Sequence, residues 1–369
     1  MAKDTKFKLI NSSKILFSER WYETVSVAEI CRHAGLSNGV FYRYFKSKEA
    51  IFRAIVDDLL EYLRIELDVI SGRTVAQRLH TFFTKVYRVC FDKSLDVTIF
   101  REGQYRFTDC ESHLRDIYLS ALEKVYGRAV DEAEYLYITA GLRFLNTRAL
   151  YDKVEFNIED IERFVLEGVF PGQTSDGLHF QEPGPFPLDL SDSASDRLIG
   201  AGLKLFGKQG YNNVNVFEIA RDAGLSVGAF YLYFPSKEDF LARILNQIGH
   251  LVRFYLRSKQ TSQQSSLNRE LEGMWNFVNY FREHPEFYEI VREAEFVSRL
   301  WVQDYYDRFV QGYEKSMMHL DSAQSRVLAN FLIGLNHYLG IELVLRSSEY
   351  DPADTIRRIG KFLVEGIPS

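Results

Sequence analysis

Residues 30–49 and 219–238 are one passage written twice: at an offset of 189, 14 of the 20 positions are identical. The repeat continues beyond that window. Phe164-Val165-Leu166-Glu167-Gly168-Val169 is answered by Phe362-Leu363-Val364-Glu365-Gly366-Ile367, and Ile99-Phe100-Arg101-Glu102 by Ile290-Val291-Arg292-Glu293. Each half is therefore a whole unit, and the fold of one constrains the fold of the other. The offsets grow along the chain, as a few residues inserted into the second copy would make them.

A chain of 369 residues is expected to hold two or three domains, and the repeat selects two. Its 46% hydrophobic and 15% aromatic content is ample for a core in each. No run of about 18 apolar residues is present to span a membrane. The N-terminal Met1-Ala2-Lys3-Asp4-Thr5-Lys6-Phe7-Lys8 leads into no signal-like segment, so a cytoplasmic chain with no membrane partner is expected. Cys31, Cys90 and Cys110 are odd in number and far apart, which points to core filling rather than to a disulfide or a zinc site. The net charge of −6 is unevenly spread: residues 1–50 carry +4, residues 190–239 carry −1, and the remainder is acidic. A basic head on an acidic body keeps nucleic acid open as a partner.

Half of the eight prolines fall in 171–195. Proline fixes its own backbone and denies helix to the residue before it, so this stretch is expected to be a linker that could reach ~80 Å when extended. Elsewhere apolar residues recur at helical spacing, as in Ile51, Phe52, Ile55, Leu59, Tyr62 and Leu63, and no alternating run marks a strand. Further helices are expected near 74–92, 112–129, 131–152 and 157–169, then near 267–283, 286–300, 303–319, 321–347 and 352–367. The expected division is a head at 1–50, a helical regulatory domain at 51–170, the linker at 171–195, a second head at 196–239 and a second helical domain at 240–369.

Within each head the local chemistry spells helix, turn, helix. Ser26 can cap a helix whose apolar side is Val27, Ile30, Cys31 and Ala34; Gly35 supplies a turn; Ser37 caps a short helix over 38–44; Ser47 starts a third. Asn215, Gly224, Ser226 and Ser236 take the same places in the second copy. Such a unit lays its second helix in the major groove of DNA.

These residues carry a family resemblance. Phe17-Ser18-Glu19-Arg20-Trp21-Tyr22 followed by Ala34-Gly35-Leu36-Ser37-Asn38-Gly39-Val40-Phe41-Tyr42-Arg43-Tyr44-Phe45-Lys46-Ser47-Lys48-Glu49 resembles the head of the tetracycline-repressor (TetR) family. So does Phe206-Gly207-Lys208-Gln209-Gly210-Tyr211 followed by Ala223-Gly224-Leu225-Ser226-Val227-Gly228-Ala229-Phe230-Tyr231-Leu232-Tyr233-Phe234-Pro235-Ser236-Lys237-Glu238. The likeness covers about 45 residues of each half. One departure is Trp21, where the pattern has the glycine that the second copy keeps as Gly210, so the first copy must make that corner differently.

The resemblance implies an all-α chain of two TetR-like units, each a helix-turn-helix head followed by a helical ligand-binding and dimerisation domain. It implies a ligand-responsive transcriptional regulator, expected to be a repressor, whose partners are double-stranded DNA and a small-molecule effector. Lys48 and Lys237 sit in the first turn of a helix, where the dipole favours an anion, so each is expected to share a DNA phosphate with that terminus. Tyr42 and Tyr231 are expected to donate hydroxyls to phosphate, with Ser26 and Asn215 beside them. Phe41, Tyr44, Phe45, Phe230, Tyr233 and Phe234 are expected in the core.

Base reading falls to the exposed start and outer face of the short helix, Asn38, Gly39, Val40 and Arg43, where Asn suits adenine and Arg suits guanine. Their counterparts Val227, Gly228, Ala229 and Leu232 offer no side-chain hydrogen bond, so that head would read thymine methyls or DNA shape. The caps Ser37 and Ser226 belong to the same expected DNA-binding face.

Family members resemble one another in pairing through their last two helices. Here the two copies could pair as an intrachain pseudo-dimer, 131–169 against 321–367, at high effective concentration, or the tandem chain could form a homodimer. Aromatic residues such as Trp275, Phe277, Tyr280, Phe281, Trp301, Tyr305, Tyr306 and Phe309 would suit an apolar or aromatic effector, or simply a core. Asn336 and His337 are either pocket polar groups or satisfied core residues. Nothing suggests an enzyme, a cofactor or a metal: the eight histidines are scattered, and no phosphate loop or nucleophile elbow occurs. The rival reading is a ligand-binding or protein-interaction module derived from such a regulator, with one or both heads no longer binding DNA.

Overall fold

The computed structural model describes residues 2–175, 178, 180, 190–260, 264–317, 322–345 and 351–367, and among them every regular element is helical. None of these helices is long and apolar enough to cross a membrane. The chain divides into two compact units, 1–131 and 132–368.

The first unit holds α1 (Ala2–Glu19), a 3-10 turn (Tyr22–Thr24), α2 (Val27–Ala34), α3 (Asn38–Phe41), α4 (Lys48–Glu66), α5 (Val75–Asp92), α6 (Ser94–Arg106) and α7 (Thr108–Tyr126). The stripe expected on α4 is buried at Ile51, Phe52, Ile55, Leu59 and Leu63. Phe52 joins head to body: it meets Phe17 and Tyr22 at 5.3 and 5.0 Å between ring centroids, and Phe107 at 5.7 Å. All three cysteines are buried thiols.

The second unit begins with the last two helices of the first copy, α8 (Glu132–Asp152) and α9 (Ile158–Glu167). It continues through the second copy: α10 (Ala194–Gln209), a 3-10 turn (Tyr211–Asn213), α11 (Val216–Asp222), α12 (Val227–Tyr233), α13 (Lys237–Ser258), α14 (Ser266–Glu283), α15 (Pro285–Ala294), α16 (Arg299–Ser316), α17 (Ser322–Gly340) with a π turn at Ile341–Leu345, and α18 (Pro352–Glu365). The compact units thus part at residue 131 rather than in the proline-rich stretch, because α8 and α9 bury their faces against α17 and α18.

Residues 176–177, 179 and 181–189 of the expected linker lie outside the described residues. Its described flank does not hang free. Gln173 Oε1 accepts from the Leu267 amide at 2.9 Å, and Phe180 stacks on Trp275 at 5.0 Å.

The packing of α8 on α17 follows from two glycines. At an offset of 190, Leu142, Leu145 and Asn146 recur as Leu332, Leu335 and Asn336, which equates Gly141 with Phe331 and Phe144 with Gly334. In the structure Gly141 faces Phe331, where an added Cβ would run into the ring. Gly334 faces Phe144, where an added Cβ would stand 2.7 Å from the Phe144 Cβ and 2.9 Å from the Ala140 carbonyl oxygen. Each crossing point therefore joins a glycine of one copy to a phenylalanine of the other.

The helix ends repeat the pattern in the main chain. The Val169 amide donates to the Leu363 carbonyl at 2.7 Å, and the Ile367 amide to the Val165 carbonyl at 2.8 Å. These are equivalent positions of the repeated Phe164 and Phe362 passages, exchanging the same bond in both directions. Gly168 and Gly366 end α9 and α18 at φ of 80° and 69°, and a Cβ on either would strike the facing backbone. Arg148 of α8, fully buried, closes the joint: it reaches Asp152 at 2.7 Å, Asn330 at 3.3 Å and Asp307 of α16.

Candidate nucleic-acid interface and effector cavity

Both heads are built from caps and one left-handed glycine. Ser26 and Asn215 each accept from the amide three residues on, while Glu29 and Glu218 reach back to the cap amide, forming capping boxes. Gly35 and Gly224 sit at φ of 68° and 67°, a conformation that glycine adopts without strain. The next amides then bond back, Leu36 to Cys31 and Leu225 to Ala220, both at 2.8 Å. Ser47 and Ser236 cap α4 and α13.

The two reading helices differ. Ser226 caps α12 through the Ala229 amide at 3.1 Å and the helix runs to Tyr233. Ser37 has the backbone of a cap but its side chain makes no capping bond, and α3 ends at Phe41, short of the expected residue 44. There the backbone tightens into three-residue spacing, Arg43 bonding to Val40 and Tyr44 to Phe41.

Asn38, Gly39, Tyr42 and Arg43 are exposed, as are Val227, Gly228, Tyr231 and Leu232, while Val40 and Ala229 are half-buried. Tyr42 and Tyr231 stand 60% and 52% open to solvent. Tyr233, expected in the core, is exposed, because its neighbours Phe230 and Phe234 already fill the space against Phe240.

The two lysines make contacts within their own heads. Lys48 donates to the Tyr22 carbonyl at 2.8 Å, lies 4.1 Å over the Tyr22 ring and faces Glu23 at 3.9 Å. Lys237 lies 4.1 Å over the Tyr211 ring. Burial pushes both ammonium pKa values down. Each lysine is thus held against an aromatic face within its head, and Lys48 against a carbonyl as well.

The corner before each 3-10 turn is made in two ways: Gly210 takes φ 79°, ψ 152°, and Trp21 takes φ −53°, ψ 135°, which any residue adopts. Both corners deliver a tyrosine amide to a carboxylate, buried at Glu102 and half-buried at Glu293. The Tyr22 amide donates to both Glu102 oxygens at 2.9 and 3.1 Å, and the Tyr211 amide to Glu293 at 2.6 Å. Glu102 and Glu293 are equivalent residues of α6 and α15. Their role was missed in the sequence, although their repeat was the signal that could have found it: each ties a head to its body.

Burial pushes the Glu102 carboxyl up to about 7, against the pull of the Tyr22 amide and Arg106. A carboxyl whose folded pKa exceeds its unfolded value favours the fold most below the unfolded pKa and loses that contribution as pH rises towards the folded one. Wild-type protein is therefore expected to lose stability relative to Glu102→Gln between about pH 5 and pH 7. The expected size is on the order of 2–3 kcal/mol, read from urea unfolding of both proteins across that range.

A cavity of about 990 Å³ lies within the second unit, among α13, α14, α16, α17 and the end of α9. Of the aromatic residues singled out, Phe277, Phe281, Tyr305, Tyr306 and Phe309 line it, whereas Tyr280 packs on Tyr255. Asn336 and His337 are both lining and satisfied: Asn336 donates to Glu270 at 3.2 Å and to the Leu332 carbonyl at 3.0 Å, and His337 Nδ1 meets the Tyr288 hydroxyl at 3.2 Å. Glu270 also accepts from Tyr313 at 3.0 and 2.9 Å, and burial pushes its carboxyl up to about 7.

Capped helices, a left-handed glycine turn and an exposed second helix make a helix-turn-helix head, present twice among described residues whose regular elements are all helical. The family model described as "Bacterial regulatory proteins, tetR family" matches residues 9–55 and again 198–244, so both heads are of tetR-family type. The chain is 53% identical over 49 residues to the uncharacterized HTH-type transcriptional regulator YuxN of Bacillus subtilis, a match spanning 13% of this chain and 17% of that protein. It is 24% identical over 164 residues to the HTH-type transcriptional regulator UidR of Escherichia coli, spanning 44% and 83%. Among solved structures, the fatty acid degradation regulator FadR of Bacillus halodurans matches with a TM-score of 0.38 at 19% identity, over 51% of this chain and 98% of that one. The two family-model matches and the similarity to curated regulators support a DNA-binding regulatory function, and tetR-type heads are not catalytic. No cluster of three or more metal-ligating side chains occurs among the described residues.

Proposed function

We propose that this chain is a ligand-responsive transcriptional repressor whose two copies pair with each other, so that one polypeptide presents two unlike heads to an asymmetric operator. The observation that carries the pairing is the reciprocal exchange of main-chain bonds between Val169 and Leu363 and between Ile367 and Val165, the signature of two-fold self-pairing. The Gly141/Phe331 and Phe144/Gly334 contacts support the same reading.

The first head would supply base selectivity through Asn38 and Arg43, and the second would read methyls or shape with Val227 and Leu232. Lys48 and Lys237 would act mainly by fixing the tyrosines beside them, Tyr22 and Tyr211. Effector entry beside α14 and α16 would act on α15, whose Glu293 holds the second head.

Arg43→Ala is expected to weaken operator binding about 5- to 150-fold, with little change in the salt dependence set by phosphate contacts. Titration of a labelled duplex at several salt concentrations measures both. An unchanged affinity would remove Arg43 from the reading set.

A second reading has its own observation. The second head exposes Phe217, Tyr231, Leu232 and Tyr233 together, Leu232 at 85%, and such an apolar face also suits a protein partner. Under that reading, changes in α12 would leave DNA binding intact.

A further inference from the structure

The cavity in the second unit has a charge unlike that of the chain. The whole protein carries −6, yet the cavity lining includes seven arginines or lysines against two glutamates, Glu167 and Glu270. One arginine stands out. Arg253 lies 5.3 Å over the Phe309 ring, with Arg257 and Arg308 adding positive charge and Asp304 opposing it. Asp304 is engaged by Arg308 at 2.9 Å. The Arg253 Nη1 is buried without a hydrogen-bond acceptor among the described residues.

The fold makes room for this arrangement. Gly249, one turn earlier on α13, has no side chain, and a Cβ there would stand 2.8 Å from Arg253 Nη1 and 3.0 Å from the Tyr305 ring. That donor is closed off beneath Gly249, so an acid group would reach it only with a shift of the Arg253 side chain; an unpaired buried donor is costly, which favours such a shift. Its planar fork suits a carboxylate, sulfonate or phosphate.

Part of the wall is apolar. Phe277 and Phe281 of α14 and Phe309 of α16 face the cavity. Along α14 the lining runs from Ser266 to Phe281, which at helical rise is ~22 Å. The volume lies at the upper end for a small-molecule site.

We propose that this cavity binds an organic anion with an extended apolar or aromatic body, its acid group on Arg253 and its body along Phe277, Phe281 and Phe309. The inference rests on the effector-responsive reading above for its regulatory meaning, but the binding site stands on its own geometry.

The test uses the full chain and two fluorescent probes. One is 8-anilino-1-naphthalenesulfonate, and the other is N-phenyl-1-naphthylamine, the same body without the acid. Wild type is expected to bind the sulfonate at least about tenfold more tightly than the amine. Arg253→Met is expected to erase that preference, Arg253→Lys to restore part of it, and Phe277→Ala to weaken both probes.

Competition then tells the body apart: displacement by dodecanoate points to a flexible chain and by 2-naphthoate to a flat ring. Equal binding of the two probes by wild type, an unchanged sulfonate affinity in Arg253→Met, or displacement by neither acid would each overturn the proposal. DNA affinity is read separately. If the probe binds as expected but never alters DNA binding, the site stands and the effector reading fails.

Discussion

Full-length protein carrying Gly141→Phe is expected to lose at least about 3 kcal/mol of stability in its second unit. Even a methyl group at this position would enter the Phe331 ring, so a phenyl group must force α8 and α17 apart, and overpacking of this kind costs ~1–3 kcal/mol or more. Phe331→Gly alone is expected to cost about as much, by leaving a void where a ring was buried. The double exchange, Gly141→Phe with Phe331→Gly, moves the ring to the other helix and is expected to be more stable than either single variant. Urea or thermal unfolding of the four proteins closes the cycle. A double variant no better than the worse single one would mean that the glycine–phenylalanine match does not govern the joint.

The same alternation has a consequence for assembly. Two first copies pairing by this face would set Gly141 against Gly141 and Phe144 against Phe144, and two second copies would set ring against ring at Phe331. Pairing of unlike copies avoids both mismatches, whether the two copies belong to one chain or to two.

Arg148→Met is expected to cost about 3 kcal/mol, because it leaves Asp152 only Arg299 at 3.4 Å and takes the buried guanidinium from Asp307. Arg148→Lys is expected to recover little. An ammonium cannot serve Asp152, Asp307 and Asn330 together as the planar guanidinium does. Chemical unfolding measures both, and a near-neutral Arg148→Met would show that this network contributes nothing to holding α8 on α16 and α17. The network also stands beside the cavity, since Tyr306 lines it and faces Arg148 at 5.9 Å.

The heads were legible because their structure is local. Capping at Ser26, Asn215, Ser226, Ser47 and Ser236 and the turns at Gly35 and Gly224 depend on neighbours within a few residues, and the structure has them where the spacing put them. Most of the body helices were legible by period. α6 was not, since Asp96, Arg101, Glu102 and Gln104 are buried polar residues on its length and erase the apolar rhythm. The segment expected over 286–300 stops at Ala294, and that over 321–347 passes into a π turn after Gly340.

What no local pattern could reveal were contacts set by register. Lys48 finding the Tyr22 carbonyl, Glu102 and Glu293 holding tyrosine amides, and Gly141 receiving Phe331 all join residues far apart in sequence. The cavity falls in the same class: its aromatic residues were visible, but only the fold separates those that line it from Tyr280, which fills the core.

The measurement closest to the central claim is selection of bound duplexes from a random DNA pool by wild type and by Gly39→Glu and Gly228→Glu proteins. Both glycines are helical and open, with nothing nearer than ordinary contact to an added Cβ, so each carboxylate should repel DNA from one head while leaving the fold intact. A two-headed repressor predicts an enriched, imperfect palindrome with unlike halves, the first half lost with Gly39→Glu and the second with Gly228→Glu. Enrichment of a single half-site that Gly228→Glu leaves untouched, or no enrichment at all, would contradict it.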